Sequence, residues 1–363
     1  MPDGYALITG ANGYVGGLLA RRYLDSTDRA LVLCVREALG AASEHPTQAT
    51  ADRVRLLVAD LTTPAPFACV DRQLRDRIVE IVHCAALTRF DLEAGPAQAV
   101  NVHGTEQVLR LATECPNLES LGLVSTIYTS GLHAGPILEQ AHDGTAGFAN
   151  LYEWSKWAAE ELFLSRYAGL PARVLRLATV IADDDTGTVT QLNAFHTTLK
   201  LFFHGLLSLI PGRPTTPLYF VTGDFVTRAV LELMDPRQLN GIYHVSHGRA
   251  DSLTLDHAIS VAFEVFGSVE EFRRKRILRP LTVDQESFEL LVAGMTSLSG
   301  GLVGRALRSV APFARQLYVT KELDNTQLRA SIRTYSAPDP EVLVRRTCES
   351  LVRTRWGKHS VAA

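Results

Sequence analysis

The chain has 363 residues, 46% of them hydrophobic and 21% charged, proportions that exclude collagen-like, low-complexity and broadly disordered classes. That length suggests roughly two units of about 150 residues, with enough core to fold without disulfides or metals. Thirty-six basic against 39 acidic residues leave a net charge of −3, so no overall basic field argues for a nucleic-acid partner. The five cysteines, Cys34, Cys69, Cys84, Cys115 and Cys348, form no CxxC pair, which points to a reducing cytoplasm rather than a disulfide framework or a zinc site. Met1 leads directly into an apolar segment at 5–9, without the charged and apolar regions of a signal peptide. No apolar run reaches the roughly 20 residues of a membrane span, and the longest, 199–210 and 290–303, read as buried or amphipathic helices.

In chain order, short β-rich runs at 6–9, 30–35, 54–58, 78–83, 121–125 and 173–177 alternate with stretches at 16–24, 97–112 and 152–167 that carry apolar residues at helical spacing. The alternation predicts βαβ units, and therefore a doubly wound parallel α/β sheet of the Rossmann type over residues 1–180. A polar loop at 183–187, an apolar stretch at 197–210 and the turn at 211–214 then open a smaller unit. A strand and helix at 219–234 and a strand at 242–245 predict that residues 215–250 return to the first layer. Residues 181–214 and 251–363 are left as a mainly helical substrate-binding domain. The last 113 residues hold 16 basic and 13 acidic side chains, with positive charge concentrated in Arg273, Arg274, Lys275, Arg276 and Arg279.

The first strand runs into Thr9-Gly10-Ala11-Asn12-Gly13-Tyr14-Val15-Gly16, a TGxxGxxG pattern that opens a helix. Gly10 permits a tight turn, Gly13 lets the backbone approach a pyrophosphate, and Gly16 allows close helix-to-strand packing. The helix N-terminus offers free N–H donors to the phosphates. Thr9, Gly10, Gly13, Tyr14, Val15 and Gly16 are therefore expected to hold a dinucleotide. About 20 residues further on, where an acid would grip a ribose 2′-hydroxyl, the second strand ends on Arg36, a cation suited to a 2′-phosphate and hence to NADP, with Glu37 beside it. Asp60, closing the third strand before Leu61, is placed either to accept a hydrogen bond from adenine or to form a turn.

Tyr152 and Lys156, four apart at the start of a helical stretch, share one face, and no other YxxxK occurs among ten tyrosines and five lysines. An ammonium near a phenol stabilises the phenolate and brings its pKa down from about 10, which makes Tyr152 a candidate proton donor. Lys156 is also expected to bind the nicotinamide ribose. A substrate oxygen would be held by Thr126 or Ser125 at the carboxyl end of the fifth strand. Asn101 would orient the lysine through a water or cap a helix. His83, inside a strand, reads as a core histidine, and His244 and His247 lack the spacing of a metal pair, so no metal is expected.

With these residues in place the chain resembles the extended short-chain dehydrogenase/reductases over at least residues 5–250. Within them it is most similar to the fatty acyl-CoA reductase and carrier-protein thioester reductase branch. The likeness is carried by residues 81–91 (IVHCAALTRFD), by VSTIY at 124–128 with Gly131, by NLYEWSK at 150–156, and by LCVR at 33–36. The resemblance implies that Ala85, Ala86 and Thr88 line the nicotinamide side of the cofactor groove. It also implies an NADPH-dependent reduction of an acyl thioester, delivered by CoA or an acyl carrier protein, to aldehyde or alcohol. An acyl chain would lie along residues 195–210, unless these form a buried helix, and the basic cluster at 273–279 would dock a carrier or CoA phosphates, unless it is a solvated face. The stretch between Arg36 and Asp60 is shorter than in many such reductases, and no adenylation or carrier domain is attached. Two alternatives remain on the same residues: an NADP-dependent ketone or aldehyde reductase or nucleotide-sugar epimerase/dehydratase, and a catalytically silent NADP-binding sensor.

Overall fold

A computed structural model describes residues 4–37, 52–297 and 302–357. Seven parallel strands, β1 (Tyr5–Thr9), β2 (Ala30–Val35), β3 (Val54–Val58), β4 (Ile78–His83), β5 (Ser120–Thr126), β6 (Ala172–Leu177) and β7 (Gly241–Val245), stand in the order β7-β6-β5-β4-β1-β2-β3. The six strands expected from the sequence before residue 180 are all present, and 241–245 joins the same sheet beside β6. From β1 the chain winds outward through β2 and β3, then crosses back to β4 on the other side of β1. That reversal opens a crevice at the carboxyl ends of β1 and β4, where open α/β sheets bind ligands.

The long helices are α1 (Tyr14–Ser26), α2 (Gly104–Thr113), α3 (Leu151–Arg166), α4 (Ala194–Phe203), α5 (Gly223–Leu233), α6 (Leu255–Gly267), α7 (Gln285–Ser297), α8 (Leu302–Ala314) and α9 (Pro340–Arg353). Alternation along the strands fixes which of them each face receives. Ala6 and Ile8 of β1 pack with Leu19 and Tyr23 of α1 and Val226 and Val230 of α5. Leu7 between them belongs to the opposite core, with Val108 and Leu109 of α2 and Phe163 of α3. Because both faces are covered, β2, β4 and β6 are buried along almost their whole length, the near-continuous apolar pattern of internal parallel strands.

A third core gathers residues from 181 onward. In it Phe203 of α4 lies 5.2 Å from Phe266 and 5.5 Å from Trp356, ring centroid to centroid. Leu199, Phe202 and Phe203 are thus buried among the protein's own side chains. Of the two readings of this apolar stretch, the buried helix is the one seen.

Two further features bear on the sequence reading. The helical pattern at 97–112 is divided: a π-helical turn at Gln98–His103 precedes α2. The widened turn coincides with Asn101, whose side chain is pulled out of the helix by bonds to Leu87 and Ser155. The basic cluster lies on an exposed face, and four of its five cations are paired: Arg273 and Arg274 bond Glu270 at 2.7 and 2.8 Å, Lys275 bonds Glu271 at 2.7 Å, and Arg279 bonds Asp256 at 2.6 Å. Among the described residues no helix is long and apolar enough to cross a membrane.

The chain after α8 returns to the sheet. Its short strand Lys321–Leu323 pairs in parallel with Gly135–Ile137, and one buried carboxylate clips it there. Glu139, 3% exposed, accepts from the backbone N–H groups of His244 on β7 at 2.8 Å, Gln327 at 2.5 Å and Leu328 at 3.2 Å. Replacing it with an apolar side chain orphans two buried donors, those of His244 and Leu328, each costing about 1–3 kcal/mol, and a third that is only partly buried. Glu139→Leu is expected to lower unfolding stability by at least about 2 kcal/mol, read from the midpoint of urea denaturation.

Candidate active site

Loop, helix and strand ends meet at the crevice between β1 and β4. Gly10 has φ +66°, and a Cβ there would lie 2.8 Å from the Ala85 backbone, so only glycine lets the first loop touch the chain leaving β4. A Cβ on Gly16 would meet the Gly10 carbonyl oxygen at 2.3 Å, so α1 starts as close to the loop as backbone allows. Gly13 caps α1 without a side-chain hydrogen bond and no acid occupies the first turn. By contrast α3, α4, α5, α6 and α9 are capped by Asn150, Asn193, Thr222, Thr254 and Asp339. An exposed, uncapped helix start with its positive dipole end suits a pyrophosphate, and the residues present fit a dinucleotide.

A hydrogen-bond chain ties this crevice together. Thr9 Oγ1 lies 2.7 Å from His83 Nδ1 and accepts from Ala85 N–H at 3.3 Å; His83 Nε2 lies 3.0 Å from Thr105 Oγ1, which donates to the Asn101 carbonyl at 2.7 Å. Because Thr105 spends its proton on Asn101, it must accept from His83, which fixes the Nε2-protonated tautomer. Burial pushes the imidazole down to about 3, so His83 is a neutral structural relay through the physiological range. Asn101 accepts from Leu87 N–H at 2.7 Å and donates to Leu87 O and Ser155 Oγ at 2.9 Å. Its contacts therefore brace the loop after β4 against the helix that carries Tyr152, a role the sequence did not suggest.

At the end of β5, alternation separates two hydroxyls that the sequence left as alternatives. Ser125 donates to Glu160, whereas Thr126, 5% exposed, accepts from Tyr128 N–H at 3.3 Å and lies beside the Tyr152 phenol. Burial raises that phenol, and the Thr126 hydroxyl opposes the rise. Lys156, one turn along α3, donates to the Val124 carbonyl at 2.7 Å; burial pulls its ammonium down to about 8, against the favourable field of Glu160. Phe90 meets Tyr152 edge to face at 5.6 Å and lies 5.6 Å from Phe313 at the end of α8. The C-terminal part of the chain thus supplies one wall beside the phenol.

The remaining expected residues fall around this centre. Tyr14 donates to Asp183 at 2.6 Å, so the aspartates after residue 182 are not merely solvated: Asp183 anchors the start of α1. Val15 is half-buried against the core of that face. Ala85 and Ala86 are half-buried on the loop after β4 and Thr88 is exposed. Arg36 is exposed at the end of β2, 3.5 Å from Glu37. Asp60 at the end of β3 accepts from Thr62 N–H at 2.9 Å and Thr62 Oγ1 at 2.7 Å, and these bonds, with a smaller contribution from Arg36, hold it below the usual carboxylate range. Leu61 is buried, packed under Gly104. His244 bonds Asp324 O at 2.7 Å while His247 faces Tyr335 at 3.2 Å; among the described residues no group of three or more His, Cys, Asp or Glu is placed to hold a metal.

Several residues that shape the site escaped sequence reading. Arg176, the penultimate residue of β6 and fully buried, forks onto Glu160 with Nε at 3.1–3.2 Å and Nη2 at 2.6 Å, and donates to Gln140 O at 2.9 Å. Two arginines, Arg173 and Arg176, in an otherwise apolar strand, and an acid four residues after Lys156 on the same helix, were the available signals.

A family profile described as male sterility protein matches residues 8–230. A linear gramicidin synthase from Brevibacillus parabrevis is 29% identical over 201 residues, which are 50% of this chain and 4% of that protein. Fatty acyl-CoA reductase wat of Drosophila melanogaster is 25% identical over 211 residues, 49% of this chain and 40% of that protein. The chain thus spans well under half the length of these relatives. Among solved structures, the terminal R domain from the myxalamid PKS-NRPS biosynthetic pathway has a TM-score of 0.79 at 22% identity, covering 98% of this chain and 92% of that one. MoeE5 in complex with UDP-glucuronic acid and NAD has a TM-score of 0.65 at 18% identity, covering 97% of this chain and 100% of that one.

The Arg176–Glu160 pair gives this site its first test. Arg176→Met leaves the Glu160 carboxylate buried without its hydrogen-bonded cation, and removing one partner of such a pair costs about 3–5 kcal/mol. A loss of that size in urea denaturation is expected, with substantial recovery in Arg176→Met/Glu160→Met.

Proposed function

The chain belongs to the male sterility protein family, within the extended short-chain dehydrogenase/reductases, and we propose that it reduces acyl thioesters with NADPH. The observation that carries this reading is the placement of Thr126 beside the Tyr152 phenol at the carboxyl end of β5, on the same edge of the sheet as the glycine loop and with Lys156 one turn away. Thioester rather than ketone chemistry is supported by relatives named as a linear gramicidin synthase and as fatty acyl-CoA reductases. NADPH rather than NADH is supported by Arg36, a cation at the end of β2 where a 2′-phosphate would lie.

Gly10, Gly13 and Gly16 with the N-terminus of α1 would hold the pyrophosphate, and Ala85 and Ala86 would line the nicotinamide side. When bound, the dinucleotide supplies the hydride. Thr126 and Tyr152 donate hydrogen bonds to the thioester carbonyl oxygen, where negative charge develops. Tyr152 passes its proton to that oxygen, and collapse of the resulting hemithioacetal releases thiol and aldehyde. Lys156 would hold the nicotinamide ribose and set a positive charge behind the phenol. Phe90 and Phe313 shield the phenol from water on the substrate side. A carrier protein or CoA would deliver the thioester.

Two variants test the reading. Tyr152→Phe is expected to lower kcat by about 10²–10⁴-fold, the usual contribution of a positioned proton donor, while NADPH binding measured by fluorescence stays intact. Retained full rate would exclude Tyr152 as the donor. Arg36→Ala is expected to weaken NADPH binding by about 10- to 100-fold, in line with loss of one charge-assisted contact, and to leave NADH binding unchanged.

A further inference from the structure

The helix that carries Tyr152 also carries Glu153 at its start, with no exposed surface. A bare carboxylate in this position opposes formation of a phenolate on the next residue. Its partners come both from the start of its own helix and from the C-terminal part of the chain. Ala149 N–H reaches it at 2.9 Å and Asn150 Nδ2 at 3.1 Å, while Gln316, in the turn after α8, donates at 2.8 Å. The same Gln316 amide group donates to the Gly131 carbonyl at 3.0 Å. That carbonyl also accepts from the ammonium of Lys321, which donates to Ser130 Oγ at 2.8 Å as well. Lys321, 5% exposed, is therefore buried on the loop that follows Thr126; burial pulls its ammonium down to about 8, against the favourable field of Glu153. Lys321 is carried on the short C-terminal strand that pairs with Gly135–Ile137, and the same segment sends Phe313 toward Phe90 and the Pro312 carbonyl to Asn150 at 3.0 Å.

Resting on the reductase reading, we propose that Lys321 is a positioning residue for the proton donor: it answers the Glu153 carboxylate and fixes the Ser130–Gly131 loop, so the seated C-terminal segment completes the electrostatics of Tyr152. The substrate-side part of the chain and the chemistry of the phenol are thereby linked through one buried charge. The ionisable groups that bear on Tyr152 and this pair are Glu153, Lys156 and Glu160 on α3, Tyr128 after β5, Cys84 after β4 and Lys321. Beyond Lys321 stand His142, His133, Arg176 and His244. Of these, Glu153 and Lys321 are the pair of opposite sign that joins the catalytic helix to the C-terminal strand.

The test is the pH dependence of kcat for NADPH oxidation with an acyl-CoA panel, on the full chain. Lys321→Met, which leaves the Glu153 carboxylate beside Tyr152 without its compensating charge, is expected to move the alkaline limb set by Tyr152 upward by up to about one pH unit, the scale on which one uncompensated charge acts in a partly desolvated site. Glu153→Gln is expected to move it downward by a similar amount, the double variant to return close to wild type, and Lys321→Arg to retain the wild-type limb. KM for NADPH is expected to stay constant throughout. A structural role alone would lower kcat without these opposed shifts, so active variants whose limbs superpose on wild type overturn the inference and leave the reductase reading standing. If thermal melting shows Lys321→Met unfolded, Glu153→Gln decides by itself, and an unmoved limb there overturns the inference. Wild-type protein that binds NADPH yet oxidises it with no thioester overturns the reductase reading, and this inference with it.

Discussion

Helix α3 has to bury two carboxylates, and each needs a partner from another element of the chain. Glu153 and Glu160 lie seven residues apart on α3, on either side of Lys156, and both are essentially inaccessible. Unpaired charges in that setting are prohibitively costly. Arg176 from β6 answers Glu160, and the Gln316–Lys321 segment answers Glu153. The helix is consequently held in register against the sheet at one end and against the C-terminal strand at the other. Tyr152 and Lys156 ride on that register, so the position of the phenol relative to Thr126 is set by ion pairing as much as by apolar packing.

The same logic of polar satisfaction runs through the dinucleotide crevice. Thr9, His83, Thr105 and Asn101 hand hydrogen bonds along from β1 to the loop after β4 and on to Ser155 of α3. Each is deeply buried, and the relay keeps His83 neutral by desolvation. One consequence is that the glycine loop and the Thr126–Tyr152 pair, which come from different βαβ units, are parts of a single hydrogen-bonded frame. A ligand that seats on the exposed start of α1 meets a rigid floor rather than a set of independent loops.

Much of this was legible in the residues. Strand positions followed from apolar runs such as 30–35 and 78–83, because internal parallel strands need no polar face. The glycine loop was legible because its requirements are local: a positive φ at Gly10 and contact distance at Gly16 leave no alternative residue. The Tyr152–Lys156 spacing was legible for the same reason, four residues being about one turn of α-helix. Less accessible was anything that depends on which strand lies beside which. Nothing local in 172–177 announces that Arg176 will meet Glu160, and nothing in 315–323 announces that Gln316 and Lys321 will reach the catalytic helix.

The sequence by itself therefore determined the Rossmann sheet, the glycine turn and the YxxxK helix, because each rests on interactions within a few residues and on strand and helix periodicity. Tertiary structure alone decided between Ser125 and Thr126, which alternation sends to opposite faces of β5, with Ser125 turned to Glu160 and Thr126 to Tyr152. It also turned Asn101 onto Leu87 and Ser155, made 199–203 core, and brought the C-terminal strand to Glu153. Those outcomes depend on burial and on partners more than fifty residues distant or on another element, and a buried charge records only that it needs a counter-charge, not where along the chain it will find one.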